Sequence, residues 1–197
     1  MGTANGKITD LSAEIITYLA RLASSDAKSG GLTSAQWTAL RFFASANRCS
    51  RTLSAFADFH VTTRGTASQT VTSLVEKGLL TRTPSKLDGR SAQIDLSDDG
   101  RSLCAKDPHK DLARAIGKLT DGERDCLKAA IVRLMAVVAT DRQRPQLGVC
   151  GTCSHLKEPI DQAHPAESYF CNRTATLLSD SDRHGICMSY KPDETGH

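Results

Sequence analysis

The sequence has no run of about 18 uncharged apolar residues, which is the length a helix needs to cross a membrane. Its first twenty residues lack a basic segment followed by an apolar core and a small-residue cleavage site. Internal repeats, a phosphate-binding loop, a dinucleotide fingerprint and a nucleophile–base pair are missing as well. We therefore expect a cytoplasmic protein that is not an enzyme and does not bind membranes.

The composition is that of a globular protein, but its charge is unevenly distributed. The 197 residues are 39% hydrophobic and 24% charged, enough for one domain or one domain with an appendage. Residues 145–197 carry four basic and seven acidic residues, a net of −3, which leaves +6 on the residues before them. The first three-quarters of the chain could therefore bind an anionic partner, whereas the tail could not.

Apolar residues recur at helical spacing through most of the first 140 residues, and Ser, Thr and Gly stand at the expected helix ends. The first predicted helix spans about residues 8–23, the second is capped by Thr33 or Ser34, and a short third helix spans about 53–59. The fourth spans about 64–77 and is ended by Gly78. A fifth helix starts at Ser97, and a long last helix runs from the capping-box pattern at 120–123 to about 140. Residues 79–83 and 91–96 are predicted as strands joined by a turn at 86–90.

A helix, a turn, a second helix and a hairpin with a basic tip therefore follow one another in the chain. This order is typical of a winged helix-turn-helix, in which one helix fits the DNA major groove and the hairpin reaches the flanking backbone or minor groove. The predicted fold class is mainly α with a small β-hairpin wing, a helical dimerisation region and a small Cys-rich tail. The predicted domains are residues 1–144, with a DNA-reading lobe of about 33–105, and a metal-binding extension of 145–197.

Several segments resemble the MarR family of bacterial transcription regulators. Residues 32–40 and 71–80 fit the family's pattern, and Asp88 and Arg90 stand where its wing usually has an aspartate and an arginine. Residues 96–100 have the Leu-Ser-x-x-Gly pattern that usually opens its next helix. The resemblance covers about residues 8–140. It implies a homodimer that binds double-stranded DNA at a palindromic operator, as a repressor.

The resemblance also implies which residues contact DNA. Short polar side chains near the start of the second helix can approach bases or phosphates, and Gln69 can pair bidentately with adenine. The expected DNA-binding residues are Thr62, Thr63, Arg64, Thr66, Ser68 and Gln69 on this helix, and Lys86 and Arg90 on the wing. The buried face of the same helix is expected to be Ala67, Val71 and Leu74. Capping and solvation are the alternative for the Thr and Ser residues, and a salt bridge to Asp88 is the alternative for Arg90.

Two apolar stripes flank the DNA-reading segment, one from Ile8 to Leu22 and one from Leu127 to Val138. Residues 62–96 carry five basic and three acidic residues, a modest surplus for a DNA-binding face, so affinity would depend on two copies of the chain. The stripes fit a dimer interface, and packing within one chain is the alternative.

Four of the seven cysteines fall in the last 48 residues. Cys150, Cys153, Cys171 and Cys187 have the spacing C-x2-C-x17-C-x15-C. Because a reducing cytosol disfavours structural disulfides, the cluster predicts a metal site. Unrelated buried thiols or a disulfide pair are the alternative.

The spacing favours an iron–sulfur cluster over zinc. Structural zinc modules more often use two CxxC hooks, whereas here only the first pair forms one and the other two ligands come from separate segments. The pattern resembles that of the high-potential iron–sulfur proteins, which implies a [4Fe–4S] cluster. Structural zinc remains the alternative cofactor.

Three histidines near these cysteines, and the three other cysteines of the chain, are not among the expected metal ligands. His155, His164 and His184 lie close enough in sequence to replace a cysteine as ligand, although surface exposure is the alternative. Cys49, Cys104 and Cys126 are expected to pack as small hydrophobic residues, with a thiol switch as the alternative.

These features together predict a dimeric DNA-binding regulator whose iron–sulfur cluster senses redox state or oxygen. Loss or oxidation of the cluster would rearrange the tail against the dimer helices and change the spacing of the two reading helices. One alternative is the same regulator with structural zinc and a small-molecule effector in the crevice between dimer helices and DNA-reading lobe. A second is an enzyme or electron carrier that uses the tail cluster.

Overall fold

The computed structural model describes residues 4–24, 31–84, 92–107, 109–157 and 169–193, with side chains from residue 11 onward. The helices are α1 (Ala4–Ser24), α2 (Ser34–Ser45), α3 (Leu53–Phe59), α4 (Arg64–Glu76), α5 (Asp98–Cys104), α6 (Lys110–Ile116), α7 (Asp121–Asp141) and α8 (Asp180–Arg183). The strands are β1 (Leu80–Pro84), β2 (Ala92–Leu96), β3 (Gly148–Val149), β4 (Leu156–Lys157), β5 (Tyr169–Cys171), β6 (Thr176–Leu178) and β7 (Ile186–Cys187).

The main core lies between α2, α3, α4 and the β1–β2 hairpin. Phe42 of α2 packs against Phe56 of α3 with ring centroids 5.7 Å apart, and both side chains are fully buried. The residues predicted as the buried face of α4, Ala67, Val71 and Leu74, are all in this core. That prediction is confirmed.

The helix ends follow the capping residues of the sequence. Thr33 caps α2, and Thr120 and Glu123 form the predicted capping box of α7. Past the end of α4, Gly78 has a φ of +70°, a conformation that favours glycine. The sequence did not predict the break that separates α5 from α6. There, the Asp107 carboxylate accepts hydrogen bonds from the His109 N–H and the Arg41 side chain.

The hairpin is antiparallel, with Leu80 opposite Leu96 and Pro84 opposite Ala92. Strand β1 lies one residue later than its predicted range of 79–83, and β2 ends at Leu96 as predicted. The Ile94 N–H of β2 donates a hydrogen bond to the carbonyl of Arg51, which joins the α2–α3 connection to the hairpin. The predicted tip, with Lys86 and Arg90, lies outside the described residues.

The apolar stripes of α1 and α7 are exposed within a single chain. Ile15 is 56% exposed and Ile131 is 51% exposed, and most of the other predicted stripe residues are equally open. The structure does not describe the side chain of Ile8. The alternative of packing within one chain is therefore wrong for the described residues. No helix among the described residues is long and apolar enough to cross a bilayer.

The residues after α7 form a small unit that packs on the winged helix. Strands β3 and β7 pair antiparallel, and β4, β5 and β6 form a second antiparallel sheet. Ile186 forms a parallel bridge with Ala46, and Met188 belongs to the main core. Residues 145–197 as a separate domain remain a prediction.

Candidate nucleic-acid interface and cysteine cluster

The first two turns of α4 present polar side chains on the surface. Thr63, Arg64, Thr66 and Gln69 are exposed, while Ala67 between them is fully buried. This alternation follows from the helical period, because Ala67 and Val71 share the face that packs on α2 and α3. The surface left open is a polar stripe that carries one cation, Arg64.

Thr63 also caps α4, which is the structural role considered above as the alternative to DNA contact. Its hydroxyl accepts a hydrogen bond from the Thr66 N–H at 3.2 Å and caps α4. Its Oγ1 also lies 3.0 Å from Oγ1 of Thr66. Thr62 and Ser68, also predicted to bind DNA, are half-buried. Thr63 and Thr66 both take part in this cap, so Arg64 and Gln69 are the exposed predicted contacts on α4 that lie outside it.

Two hydrogen bonds fix α4 and the hairpin to the elements behind them. Gln36 Nε2 of α2 donates to Ser73 Oγ of α4 at 3.0 Å. Ser97 Oγ, at the start of α5, donates to the Gly78 carbonyl at 2.6 Å. A Cβ on Gly100 would lie 2.1 Å from the Leu79 carbonyl oxygen, so only glycine allows this approach. The reading helix is thus held rigidly.

In the tail, three of the four predicted metal ligands lie together. Cys150, Cys171 and Cys187 are buried in one cluster with Leu178, and we call these three residues the thiol cluster. Cys153 is half-buried and is not a member of that cluster. It ends the 3-10 turn that begins at Cys150, and its N–H donates to the Cys150 carbonyl at 3.0 Å.

Hydrogen bonds converge on the sulfur atoms of the thiol cluster. Asn47 Nδ2 donates to Cys150 Sγ at 2.9 Å. The hydrogen bond from Cys150 lowers the pKa of Cys187 to about 6, with further donation from the Ser189 N–H and from Asn47 and Ser50 outweighing the effect of burial. The same bond, together with burial, raises the pKa of Cys150. Cys187 is therefore the more acidic thiol of the pair.

The donor chemistry of the thiol cluster fits a thiolate-bound metal, because buried sulfur with N–H donors is the setting of zinc and iron–sulfur sites. Among the residues with described placement, no group of three or more His, Cys, Asp and Glu side chains has the arrangement of a metal site, so ligand chemistry and not geometry supports a metal here. His155 is half-buried, His184 is exposed, and His164 lies outside the described residues.

Sequence reasoning missed the position of Cys49. This residue follows α2 and packs against the thiol cluster, with Sγ 3.2 Å from Thr174 Oγ1. Burial raises its pKa. Nothing in the sequence distinguished it from Cys104, which packs on the main core as predicted, or from Cys126, which is exposed and contradicts the prediction.

The tail docks on the chain between α2 and α3. Its hydrogen bonds to the winged helix go to residues 47–50, including an ion pair between Arg48 and Asp182 at 2.9 Å. The sequence-based mechanism had the tail act against the dimer helices. Its observed hydrogen bonds go to the DNA-reading lobe, and Leu147 and Met188 of the tail also line a cavity with Val138 of α7.

A cavity of about 540 Å³ lies among α2, α3, α5 and α6. Its walls include Phe42, Phe59 and the ion pair of Arg41 with Asp107, whose nitrogen and oxygen lie 3.1 Å apart. It combines apolar walls with a charged pair, as small-molecule sites commonly do.

The helix pair, the hairpin and the exposed polar start of α4 define a winged helix-turn-helix protein. Residues 30–91, about a third of the chain, match the model of the MarR family. Members of that family are transcription regulators and not enzymes, which confirms the predicted non-enzymatic class.

Solved structures show the same fold. A MarR transcriptional regulator from Methanosarcina mazei Go1 is similar with a TM-score of 0.52 and 18% identity, over 66% of this chain and 98% of that one. Streptococcus pneumoniae FabT in complex with DNA is similar with a TM-score of 0.52 and 17% identity, over 69% of this chain and 98% of that one. The S. aureus MepR–DNA complex is similar with a TM-score of 0.50 and 19% identity, over 66% of this chain and 97% of that one. No match is found among curated proteins, and the high-potential iron–sulfur resemblance of the tail gains no support.

Proposed function

We propose that the chain is a sequence-specific DNA-binding transcription regulator, acting as a repressor, that inserts α4 into the major groove. The observation that supports this most strongly is the exposed polar surface at the start of α4, a helix whose opposite face is buried in the main core. Arg64 contacts phosphate, and Gln69 reads a base edge, because a Gln amide can bond adenine bidentately. Thr66 adds a hydroxyl on the same surface. DNA complexes of two proteins with this fold, FabT and MepR, are consistent with the proposal.

The regulator acts as a homodimer through α1 and α7. Their exposed apolar stripes include Leu19 and Ile131, and an isolated chain would leave both in water. A two-fold dimer places two copies of α4 about one helical turn of DNA apart and selects a palindromic operator.

The tail holds a metal centre through Cys150, Cys153, Cys171 and Cys187, with an iron–sulfur cluster, [4Fe–4S], as the cofactor. The burial of three of the thiols and the hydrogen bonds to their sulfurs support this assignment. An iron–sulfur centre would supply redox sensitivity, and this chain's residues would provide the buried sulfur ligands and the N–H donors that tune it.

The DNA-binding proposal is tested with a duplex selected from a random double-stranded library. Arg64→Ala and Gln69→Ala are titrated by fluorescence anisotropy at several salt concentrations. Loss of a bidentate base contact costs about 1–3 kcal/mol, so Gln69→Ala should weaken binding to that duplex by roughly 5- to 150-fold. Arg64→Ala should lower the salt slope by about one per protomer.

Matched controls come from the tail, where Arg173 and Asn172 are exposed. Arg173→Ala removes the same charge as Arg64→Ala, and Asn172→Ala removes a comparable amide. Neither should change affinity for the selected duplex. Failure to select any duplex, or equal losses from the α4 variants and the controls, would contradict the proposal.

A second candidate, with structural zinc and a small-molecule effector, is favoured by the cavity beside Arg41 and Asp107. It predicts one zinc per chain in protein purified without oxygen, and a DNA affinity that mild oxidation leaves unchanged. Several irons per chain would exclude it.

A further inference from the structure

The chain between α2 and α3 is held by the tail on one side. Asn47 is 1% exposed, and its N–H donates to the Ile186 carbonyl at 3.0 Å, beside the parallel bridge between Ala46 and Ile186. Arg48 N–H donates to Asp182 Oδ1 at 2.8 Å. A Cβ on Gly185 would lie 2.7 Å from the Asn47 nitrogen, so the two backbones touch.

On its other side, the same connection between α2 and α3 is bonded to the DNA-reading elements through residues 51 and 52. Arg51 Nη1 pairs with Asp95 of β2 at 2.9 Å, and the Arg51 carbonyl accepts the Ile94 N–H. Thr52 caps α3 by accepting the Ala55 N–H. Since α3 packs on α4, a displacement of residues 47–50 reaches both the wing and the reading helix.

Asn47 is the direct link between these two sides. Its Nδ2 donates a hydrogen bond to Cys150 Sγ at 2.9 Å, and Cys150 packs with Cys187 in the thiol cluster. Its Oδ1 accepts the Ser50 N–H at 2.9 Å. Ser50 Oγ in turn accepts the Met188 N–H, the residue after Cys187. A displacement of these two sulfurs therefore acts on residues 47–50.

We propose that the thiol cluster controls DNA binding through residues 47–50, with Asn47 and Arg48 as the positioning residues that connect the tail to the helix-turn-helix. This inference rests on the proposed function, and it names the route of its regulation. The route passes through the α2–α3 connection within one chain and does not require the tail to move the dimer helices.

The test uses the full-length chain freed of metal by a chelator, so that loss of a metal ligand does not enter the comparison. Cys150→Ala removes the acceptor of the Asn47 hydrogen bond, whereas Cys150→Ser keeps an oxygen there. Arg48→Gln removes the ion pair to Asp182 at a half-buried position. It replaces Cys150→Ala in the comparison if that variant does not fold. The two readouts are amide hydrogen exchange of residues 46–52 and affinity for the selected duplex.

We expect Cys150→Ala and Arg48→Gln to accelerate exchange at residues 46–52 and to change DNA affinity by roughly 2- to 12-fold, the worth of one net hydrogen bond. Cys150→Ser should lie close to the unsubstituted chain. Cys126→Ala and Arg173→Gln are the controls, because Cys126 and Arg173 are exposed, and they should change neither readout.

Faster exchange with unchanged DNA affinity would overturn the proposal, because the tail would then only support the fold. Unchanged exchange in both Cys150→Ala and Arg48→Gln would overturn it as well. If the unsubstituted chain selects no duplex, the proposed function itself fails, and this inference fails with it before any variant is compared.

Discussion

Replacing Gly185 by alanine tests how tightly the tail is docked on the winged helix. The added Cβ would lie 2.7 Å from the Asn47 nitrogen and 2.9 Å from its Cα, both backbone atoms that cannot rotate away. Relief therefore requires the tail and residues 46–50 to separate. Forcing a methyl group into a packed site costs about 1–3 kcal/mol.

Gly122 in α7 is the matched control, because a Cβ there meets nothing within 4 Å. Gly122→Ala should be neutral or raise stability by up to about 1 kcal/mol, through helix propensity. For a chain of this size, each kcal/mol corresponds to about 2–4 °C in Tm. We expect Gly185→Ala to lower the Tm of the chain by several degrees, measured by calorimetry. Equal Tm values for the two variants would refute the docking.

Two further predictions follow from the structure. Leu19→Glu in α1 or Ile131→Glu in α7 should convert the dimer to a monomer in sedimentation experiments, because each places a charge in an exposed apolar stripe; unchanged dimers would contradict the proposed interface. Burial tends to raise the pKa of Asp182, but hydrogen bonds from Ser179 and from the backbone of Arg48, with the Arg48 charge, lower it overall. Its contribution to stability is then complete above the ordinary aspartate pKa and is lost as pH falls through its lowered value. The stability gap between the unsubstituted chain and Asp182→Asn in chemical unfolding should therefore close on acidification, and a gap that is constant with pH would contradict this.

Most of the winged helix could be predicted from the sequence, because local signals specify it. The capping residues Thr33 and Thr120 and the αL glycine at 78 fix helix ends through bonds within a few residues. The apolar spacing that gives α4 its buried face also leaves Arg64 and Gln69 exposed. The break between α5 and α6 was not predictable, since it depends on the contact of Asp107 with Arg41, 66 residues away in the chain.

The sites in the tail were predictable only as a set of residue types. The cysteine spacing identified the residues of the thiol cluster, but not that Cys153 lies apart from it. The position of Cys49 and the role of Asn47 depend on contacts across more than 100 residues, and no local pattern marks them. For the same reason the sequence placed the tail's action at the dimer helices and did not reveal its hydrogen bonds to residues 47–50.

The most direct test of a regulator controlled by its tail compares one preparation in two states. Protein purified without oxygen is assayed for iron and zinc and titrated with the selected duplex, then freed of metal by a chelator and titrated again. We predict several irons per chain and a severalfold change in Kd on metal removal, with the protein still folded. A metal-free preparation, or the same Kd before and after metal removal, would contradict control by a metal centre in the tail.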